Sequence, residues 1–281
     1  VSDFVYQPLF EKQKDATLYR KIEGDFVSEE SVGGRTYLRV KPGALRVLTE
    51  AAFDDVSHLL RTDHLEQLAK ILHDPEASKN DRFVALELIK NAVIAAERQF
   101  PSCQDTGTAI VFGKKGERVF TDNEADADDE EEFSRGIFAT YQRRNLRFSQ
   151  MAPLSMYEEK NTGSNLPAQI DILATKGGAY ELLFIAKGGG SANKTYLYQK
   201  TKSLLNPESM EKFVKDAIGS LGTAACPPYH LALVVGGTSA ETVAKTVKLA
   251  SCHYYDGLPT SGNAQGRAFR DEEMEGLVEK W

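Results

Sequence analysis

The sequence is poor in residues that staple or anchor a chain: three cysteines, one tryptophan and five histidines in 281 positions. Three cysteines in so long a chain exclude a disulfide-built scaffold, and an odd, sparse count suits a reducing, intracellular compartment. There is no positive excess either. Lys and Arg number 34 against 41 Asp and Glu, a net charge of −7. A general nucleic-acid binder drawn to phosphate is therefore not expected. The chain starts at Val1 with no Met and no apolar targeting stretch, and a removed presequence would leave no trace here. One charge-free run, Ala217 to Ala240, is long enough to span a bilayer. It also holds Gly219, Gly222, Pro227-Pro228, Tyr229, His230 and Gly236-Gly237. A Pro-Pro pair inside a helix costs hydrogen bonds and kinks it, so the run reads as buried soluble sequence and no membrane partner is expected.

What is present is ordinary for a globular protein: 41% hydrophobic and 27% charged residues, without a repeat or a convincing linker. The expected fold is one α/β unit over 1–281, a helical N-terminal region followed by mixed β-sheets flanked by helices. The first forty residues read as short strands and loops. Pro42 opens a helical pattern carrying Leu45, Leu48, Ala52, Val56 and Leu59. A short helix follows around His64 to Leu72. Asp81 can cap a third helix, with Phe83, Leu86, Ile89, Val93 and Ala96 on one face, and Pro101 stops it.

Strands then take over. Thr108 to Phe112 and Glu117 to Phe120 flank Gly113-Lys114-Lys115-Gly116, which predicts a hairpin. The acids from Asp122 to Glu132 read as a solvated, mobile loop, since they lack the spacing and central glycine of an EF-hand. Phe133 to Arg147 reads as helix, and Ile170 to Thr175 and Glu181 to Ala186 read as strands around Gly177-Gly178. Asn206-Pro207 starts a helix striped by Met210, Phe213, Val214, Ala217, Ile218 and Leu221. His230 to Val235 reads as an apolar strand. Thr238-Ser239-Ala240-Glu241 reads as a capping box opening the last clear helix.

Several stretches can carry chemistry. Cys103, in Cys103-Gln104-Asp105-Thr106-Gly107, and Cys226, before Pro227-Pro228, both lie where a helix gives way to an apolar strand. No CxxC knuckle exists, so each thiol reads as a small buried hydrophobe or as a metal ligand. In Lys187 to Thr195, three glycines let backbone amides approach an anion, and Lys194 and Thr195 add a cation and a hydroxyl. The loop nearly matches a P-loop with Asn193 at the second glycine, but Tyr196-Leu197-Tyr198 makes a poor helical first turn. Arg147 closes a helix; it reads as dipole compensation or as a fork for a carboxylate. Asn161 to Gln169 has turn chemistry ahead of a strand. Cys252-His253 lacks a neighbouring partner for a metal site, and His58, His64 and His73 read as solvent-facing. No Ser-His-Asp set can be assembled from spacing.

The order of these stretches carries more than any one of them. Cys103 to Ala109, Asn161-Thr162-Gly163, Asn165 to Asp171, Lys187 to Thr195, Gly222 to Tyr229 and Gly236 to Glu241 together resemble the N-terminal part of class I, iron–sulfur-dependent fumarate hydratases. The resemblance runs from the first helix to Arg270-Asp271. Two-subunit tartrate dehydratases share the Cys-Gln-Asp-Thr-Gly and Cys-Pro-Pro stretches and differ at the Lys187 to Thr195 loop.

The resemblance implies a hydro-lyase that reversibly converts fumarate to (S)-malate with a 4Fe–4S cluster held by three cysteines, one iron remaining open as a Lewis acid. Cys103 and Cys226 fall on two ligand positions. Gln104, Asp105, Arg147, Gly190, Asn193, Lys194, Thr195, Tyr196, Leu197, Tyr198 and Gln199 fall on substrate-contacting positions, with Asp105 also implied in proton handling. The third ligand and a C-terminal domain are expected beyond this chain, so the cluster is expected absent or incomplete here and the chain inactive alone. Cys252 is not assigned as a ligand. A homodimer in cytoplasm or mitochondrial matrix is implied for the whole enzyme. The alternatives are a non-enzymatic or nucleotide-binding domain using the glycine loop, or a hydro-lyase for tartrate or mesaconate.

Overall fold

The structure is a computed structural model that describes residues 3–12, 17–103, 107–192, 194–225 and 227–281. It is α/β, with three helices in the N-terminal region and small mixed sheets, one of which begins with a hairpin ahead of those helices. Although the sequence has no obvious linker, the chain divides into two compact units, one within Ile22–Ala192 and one drawn from Val1–Lys21 and Asn193–Trp281. Among the described residues no helix is long and apolar enough to cross a membrane.

The Ile22–Ala192 unit opens with a hairpin of β1 (Val27–Val32) and β2 (Arg35–Val40). Its two-residue turn, Gly33-Gly34, has both φ angles positive, as the twist of a tight hairpin demands. Helices α1 (Ala44–His58), α2 (Thr62–Ile71) and α3 (Lys79–Ala96) follow. The N-cap of α3 is Ser78, and Asp81 sits at N3, where it completes a reciprocal capping box. The expected apolar stripe of α3 is displaced. Its buried positions are Ala85, Ala92 and Ala95, while Phe83 and Val93 are 61% and 62% exposed. Small side chains are what let a helix approach α1 and α2 closely, and the bulky ones lie a quarter-turn round.

The expected hairpin around Gly113–Gly116 does not form. Strand β3 (Thr108–Gly116) runs straight through those residues as the middle of a three-stranded sheet, parallel to β7 (Gln169–Thr175) and antiparallel to β8 (Tyr180–Lys187). The glycines serve close approach rather than turning. A Cβ on Gly116 would lie 2.5 Å from the Gly177 carbonyl oxygen, in the connection between β7 and β8. Strand β4 (Val119–Thr121) leaves to pair in parallel with β2. β5 (Met151–Pro153) and β6 (Glu159–Asn161) form a small antiparallel pair.

The second half of the acidic run is not a solvated loop, while Glu124, Asp126 and Asp128 ahead of it are exposed. Asp128 caps helix α4 (Asp129–Arg143), and Asp129 to Glu132 form its first turn, where the helix dipole favours negative charge. Asp129 is buried and accepts from Lys115 Nζ (2.8 Å), Asn123 Nδ2 (3.0 Å) and the Tyr180 hydroxyl (2.9 Å). Glu132 is fully buried, with Arg135 Nε 3.8 Å away. Helices α1 and α4 cross where Gly136 meets Thr49 and the Arg46 carbonyl; a Cβ there would fall 2.6 Å from Thr49 Cβ. They cover the β3 sheet around Phe53, Val111, Phe133, Ile137 and Tyr141, with Phe184 edge-on to Phe53 and Phe133.

The second unit holds, after the four-residue α5 turn (Gly189–Ala192) that ends the first, helices α6 (Pro207–Ser220), α7 (Ala240–Ala250) and α8 (Glu272–Lys280). Asn206 caps α6. Ser239, one residue later than expected, caps α7 by accepting from Thr242 N. The expected strand at His230–Val235 is absent: the segment is irregular, with Leu231, Leu233 and Val235 exposed, because no neighbouring strand takes up its ladder groups among the described residues. Phe10 stacks on Tyr255 at 4.6 Å, and Leu9 O accepts from Ala268 N, tying the N-terminal segment to this unit.

Candidate functional site

Within the Ile22–Ala192 unit, four separate stretches converge at the end of β3 from which Thr108 starts. The chain leaving α3 is pinned first. Asp54 on α1 receives Arg98 Nη1 (2.7 Å) and both Nε (2.5 Å) and Nη2 (2.9 Å) of Arg144. Burial alone would push the Asp54 carboxyl up, but the hydrogen bond from Arg144 and the charges of Arg144, Arg98 and His58 outweigh it and hold it below the usual carboxylate range. His58 is buried, contrary to its expected solvent-facing position: its Nδ1 pairs with the Asp54 carbonyl at 2.7 Å. Ser102 N then donates to Ser57 O (2.8 Å), and Cys103 N to Asn91 Oδ1 (3.0 Å). Cys103 itself is exposed and unbridged.

Helix α4 ends four residues before Arg147 rather than at it. Asn145, at φ 50°, supplies the left-handed turn, with Asn145 N bonded to Gln142 O and Leu146 N to Tyr141 O. This stop sends Leu146 into the core and leaves Arg147 exposed, where Arg147 Nη2 donates to the Cys103 carbonyl. At the other end of that segment the Gly107 carbonyl accepts from the Tyr141 hydroxyl (2.6 Å) and from Asn165 Nδ2 (2.9 Å). Burial pushes Tyr141 up to about 12, which keeps its hydroxyl protonated as a donor. Asn165 Oδ1 accepts from Ser149 N (2.7 Å) and Gln150 N (3.0 Å). Gly107 also touches the start of the glycine loop: a Cβ there would lie 2.2 Å from Lys187 O and 2.7 Å from Gly188 Cα.

Cys103, Arg147, the Asn161–Asn165 turn and the end of β8 are thus brought to one place. Gly190, exposed, follows on the α5 turn. Lys194, half-buried, and Thr195, Tyr196, Leu197, Tyr198 and Gln199, exposed and irregular, belong to the second unit. Tyr198 meets Phe213 edge-on at 5.1 Å. Gln104, Asp105, Asn193 and Cys226 lie outside the described residues. Residues 195–200 form no helix, so the glycine loop lacks the helix N-terminus on which a P-loop relies.

Among the described residues no group of three His, Cys, Asp or Glu side chains could hold a metal ion. Cys103 has the right donor chemistry, but a three-thiolate cluster needs a fuller set than the described residues provide. Cys252 is half-buried and its Sγ donates to Leu249 O. His253 Nδ1 pairs with Asp256 at 2.9 Å.

Comparison with known proteins gives a consistent outcome. A family model described as fumarate hydratase (Fumerase) matches residues 47–280. The chain is 56% identical over 282 residues to "Fumarate hydratase 2" of Leishmania major, covering 99% of this chain and 49% of that protein. It is 56% identical over 272 residues to "Fumarate hydratase class I, anaerobic" of Escherichia coli (strain K12), covering 97% and 49%. Similarity to "L(+)-tartrate dehydratase subunit alpha" of Escherichia coli O157:H7 is lower, 28% over 213 residues, with 73% of this chain and 66% of that one covered. The chain spans about half the length of the fumarate hydratases it matches.

Proposed function

Because the chain belongs to the class I fumarate hydratase family, we propose that it supplies one part of an active site that reversibly hydrates fumarate to (S)-malate. The remaining groups come from sequence outside these residues, as the half-length match to its relatives suggests. The observation that carries this reading is the meeting of Arg147 with the segment that begins at Cys103, inside the stretch matched by the family model.

Hydration places a hydroxyl on one olefinic carbon and a proton on the other, and negative charge gathers on the carboxylate next to the protonated carbon. Arg147, exposed and holding the Cys103 carbonyl, carries a planar guanidinium of the kind that pairs with a carboxylate. Lys194 adds a second cation, and Gly190 and Asn193 to Gln199 supply donors from the glycine loop. Gln104 orients the substrate, and Asp105 holds or moves the proton. Cys103 and Cys226 would be two thiolate ligands of a 4Fe–4S cluster, with the third ligand outside this chain. An open iron in such a cluster is a Lewis acid for a carboxylate and a hydroxyl. These residues do not complete the cluster, and the chain alone is expected to be inactive.

A reducing compartment, cytoplasm or mitochondrial matrix, fits an exposed Cys103 that must remain unoxidised; one relative is named "Fumarate hydratase 1, mitochondrial". The whole enzyme is proposed to be a homodimer. The test is to supply the whole protein with iron and sulfide without oxygen and follow malate formation from fumarate. Conversion that disappears in Cys103→Ser and Cys226→Ser is expected. No conversion by the unmodified protein, or an unchanged rate in Cys103→Ser, overturns the reading.

A further inference from the structure

Asn165 is 1% exposed, sits at φ 58°, and joins two stretches of the site. Its amide nitrogen holds the Gly107 carbonyl, at the end of the segment that begins at Cys103. Its oxygen holds the Ser149 and Gln150 amides, two and three residues past Arg147. A carboxamide is required for this: a carboxylate has no donor for Gly107, and an alkyl side chain can serve neither end. Asn is also one of the few side chains that tolerates the left-handed backbone found there. Arg147, in turn, holds the Cys103 carbonyl, and the Tyr141 hydroxyl shares the Gly107 carbonyl with Asn165. The Cys103 carbonyl is therefore held by Arg147 and the Gly107 carbonyl by Asn165, while Asn165 also fixes the backbone that follows Arg147.

We propose that Asn165 is a positioning residue of this site, setting Arg147 relative to the Cys103 and Gly107 carbonyls and thereby how tightly a dicarboxylate substrate is held. The proposal rests on the fumarate-hydrating reading above and deepens it. Interactions shared by the bound substrate and the transition state appear in KM and leave kcat unchanged. A purely structural role for Asn165 would lower the melting temperature and the folded fraction, but the KM of the folded molecules would stay where it was.

The test is steady-state hydration of fumarate by the whole protein and by its Arg147→Ala, Asn165→Asp and Tyr141→Phe variants. Asn165→Asp keeps the acceptor for Ser149 and Gln150 and loses the donor to Gly107. It is expected to raise KM about tenfold, the loss of roughly one buried hydrogen bond, with kcat per folded site within about twofold. Tyr141→Phe, which leaves the Asn165 link intact, is expected to raise KM by about twofold to threefold. If Arg147→Ala raises KM but Asn165→Asp has the KM of the unmodified protein, the positioning role is wrong and the functional reading stands. If Asn165→Asp does not fold, Asn165→Gly, which tolerates the left-handed backbone and removes both ends of the link, takes its place, and an unchanged KM there overturns the positioning role. If the unmodified protein does not hydrate fumarate, or Arg147→Ala leaves KM unchanged, the functional reading falls and this inference falls with it.

Discussion

Gly107→Ala probes the convergence of the four stretches with a single methyl group. The added Cβ would sit 2.2 Å from Lys187 O, 2.6 Å from Lys187 C and 2.7 Å from Gly188 Cα. All three neighbours are backbone, so no side chain can rotate away; the ends of β3 and β8, paired at Thr108 and Lys187, must separate. Overpacking of this kind costs about 1–3 kcal/mol, and backbone neighbours put Gly107 in the upper half of that range. Loss of unfolded-chain freedom on replacing Gly by Ala returns about 0.4–1 kcal/mol, leaving a net cost of about 2 kcal/mol. At about 2–4 °C per kcal/mol for a unit of this size, the melting temperature should fall by about 4–8 °C. Gly189→Ala is the control, because a Cβ there meets nothing within 4 Å. Thermal unfolding followed by circular dichroism reads both variants. A Gly107→Ala melting temperature within about 1 °C of the unmodified protein, or an equal loss in Gly189→Ala, refutes the packing argument.

Substitutions at three further positions test the framework. Asp54→Ala leaves the partly buried guanidinium groups of Arg98 and Arg144 without their shared carboxylate and should cost about 2 kcal/mol, seen as a lower urea midpoint; an unchanged midpoint contradicts the pinning role. Asp129 is held below its usual value of 3.8: burial pushes it up, but the hydrogen bonds from Lys115, Thr121, Asn123 and Tyr180 prevail. The unfolded chain therefore binds this proton first, so its stabilisation is full above about pH 5 and fades as pH falls through 4 and below. Asp129→Asn should flatten the acid side of the stability curve, and superimposable acid limbs would exclude this carboxylate as a cause. Ser78→Ala removes the cap of α3 and should cost about 1 kcal/mol, with Ser78→Gly costing less; equal melting points for all three proteins would argue against the capping box.

Local signals in the sequence located most helices and the stretches of the site, but not the pairings between them. Asn206-Pro207 and the Ser239 region marked α6 and α7 because caps act within four residues, and periodicity found α1 and α2. Gly113 and Gly116 misled because a glycine needed for close approach looks the same as one needed for a turn. The acids of 129–132 resembled a loop because their partners, Lys115 and Tyr180, lie on strands far along the chain. Helix α8 went unread because Glu272 to Lys280 shows few apolar residues. At the site, the motif order pointed to Cys103, Arg147 and the glycine loop. Tyr141 and Asp54 gave no signal, since each acts through a partner at least 34 residues away. Asn165 was visible as turn chemistry and within a family-like stretch, but without a role; its three hydrogen bonds exist only once the sheet and α4 are in place.

The most direct measurement is a comparison of the whole protein, with iron and sulfide restored under anaerobic conditions, on fumarate, mesaconate and tartrate, together with its Arg147→Ala variant. Hydration of fumarate to (S)-malate in preference to reaction of the other two, largely lost in Arg147→Ala, is the predicted result. Preferential reaction of tartrate, or fumarate hydration undiminished by Arg147→Ala, would contradict a fumarate site built around Arg147 and the Cys103–Gly107 segment.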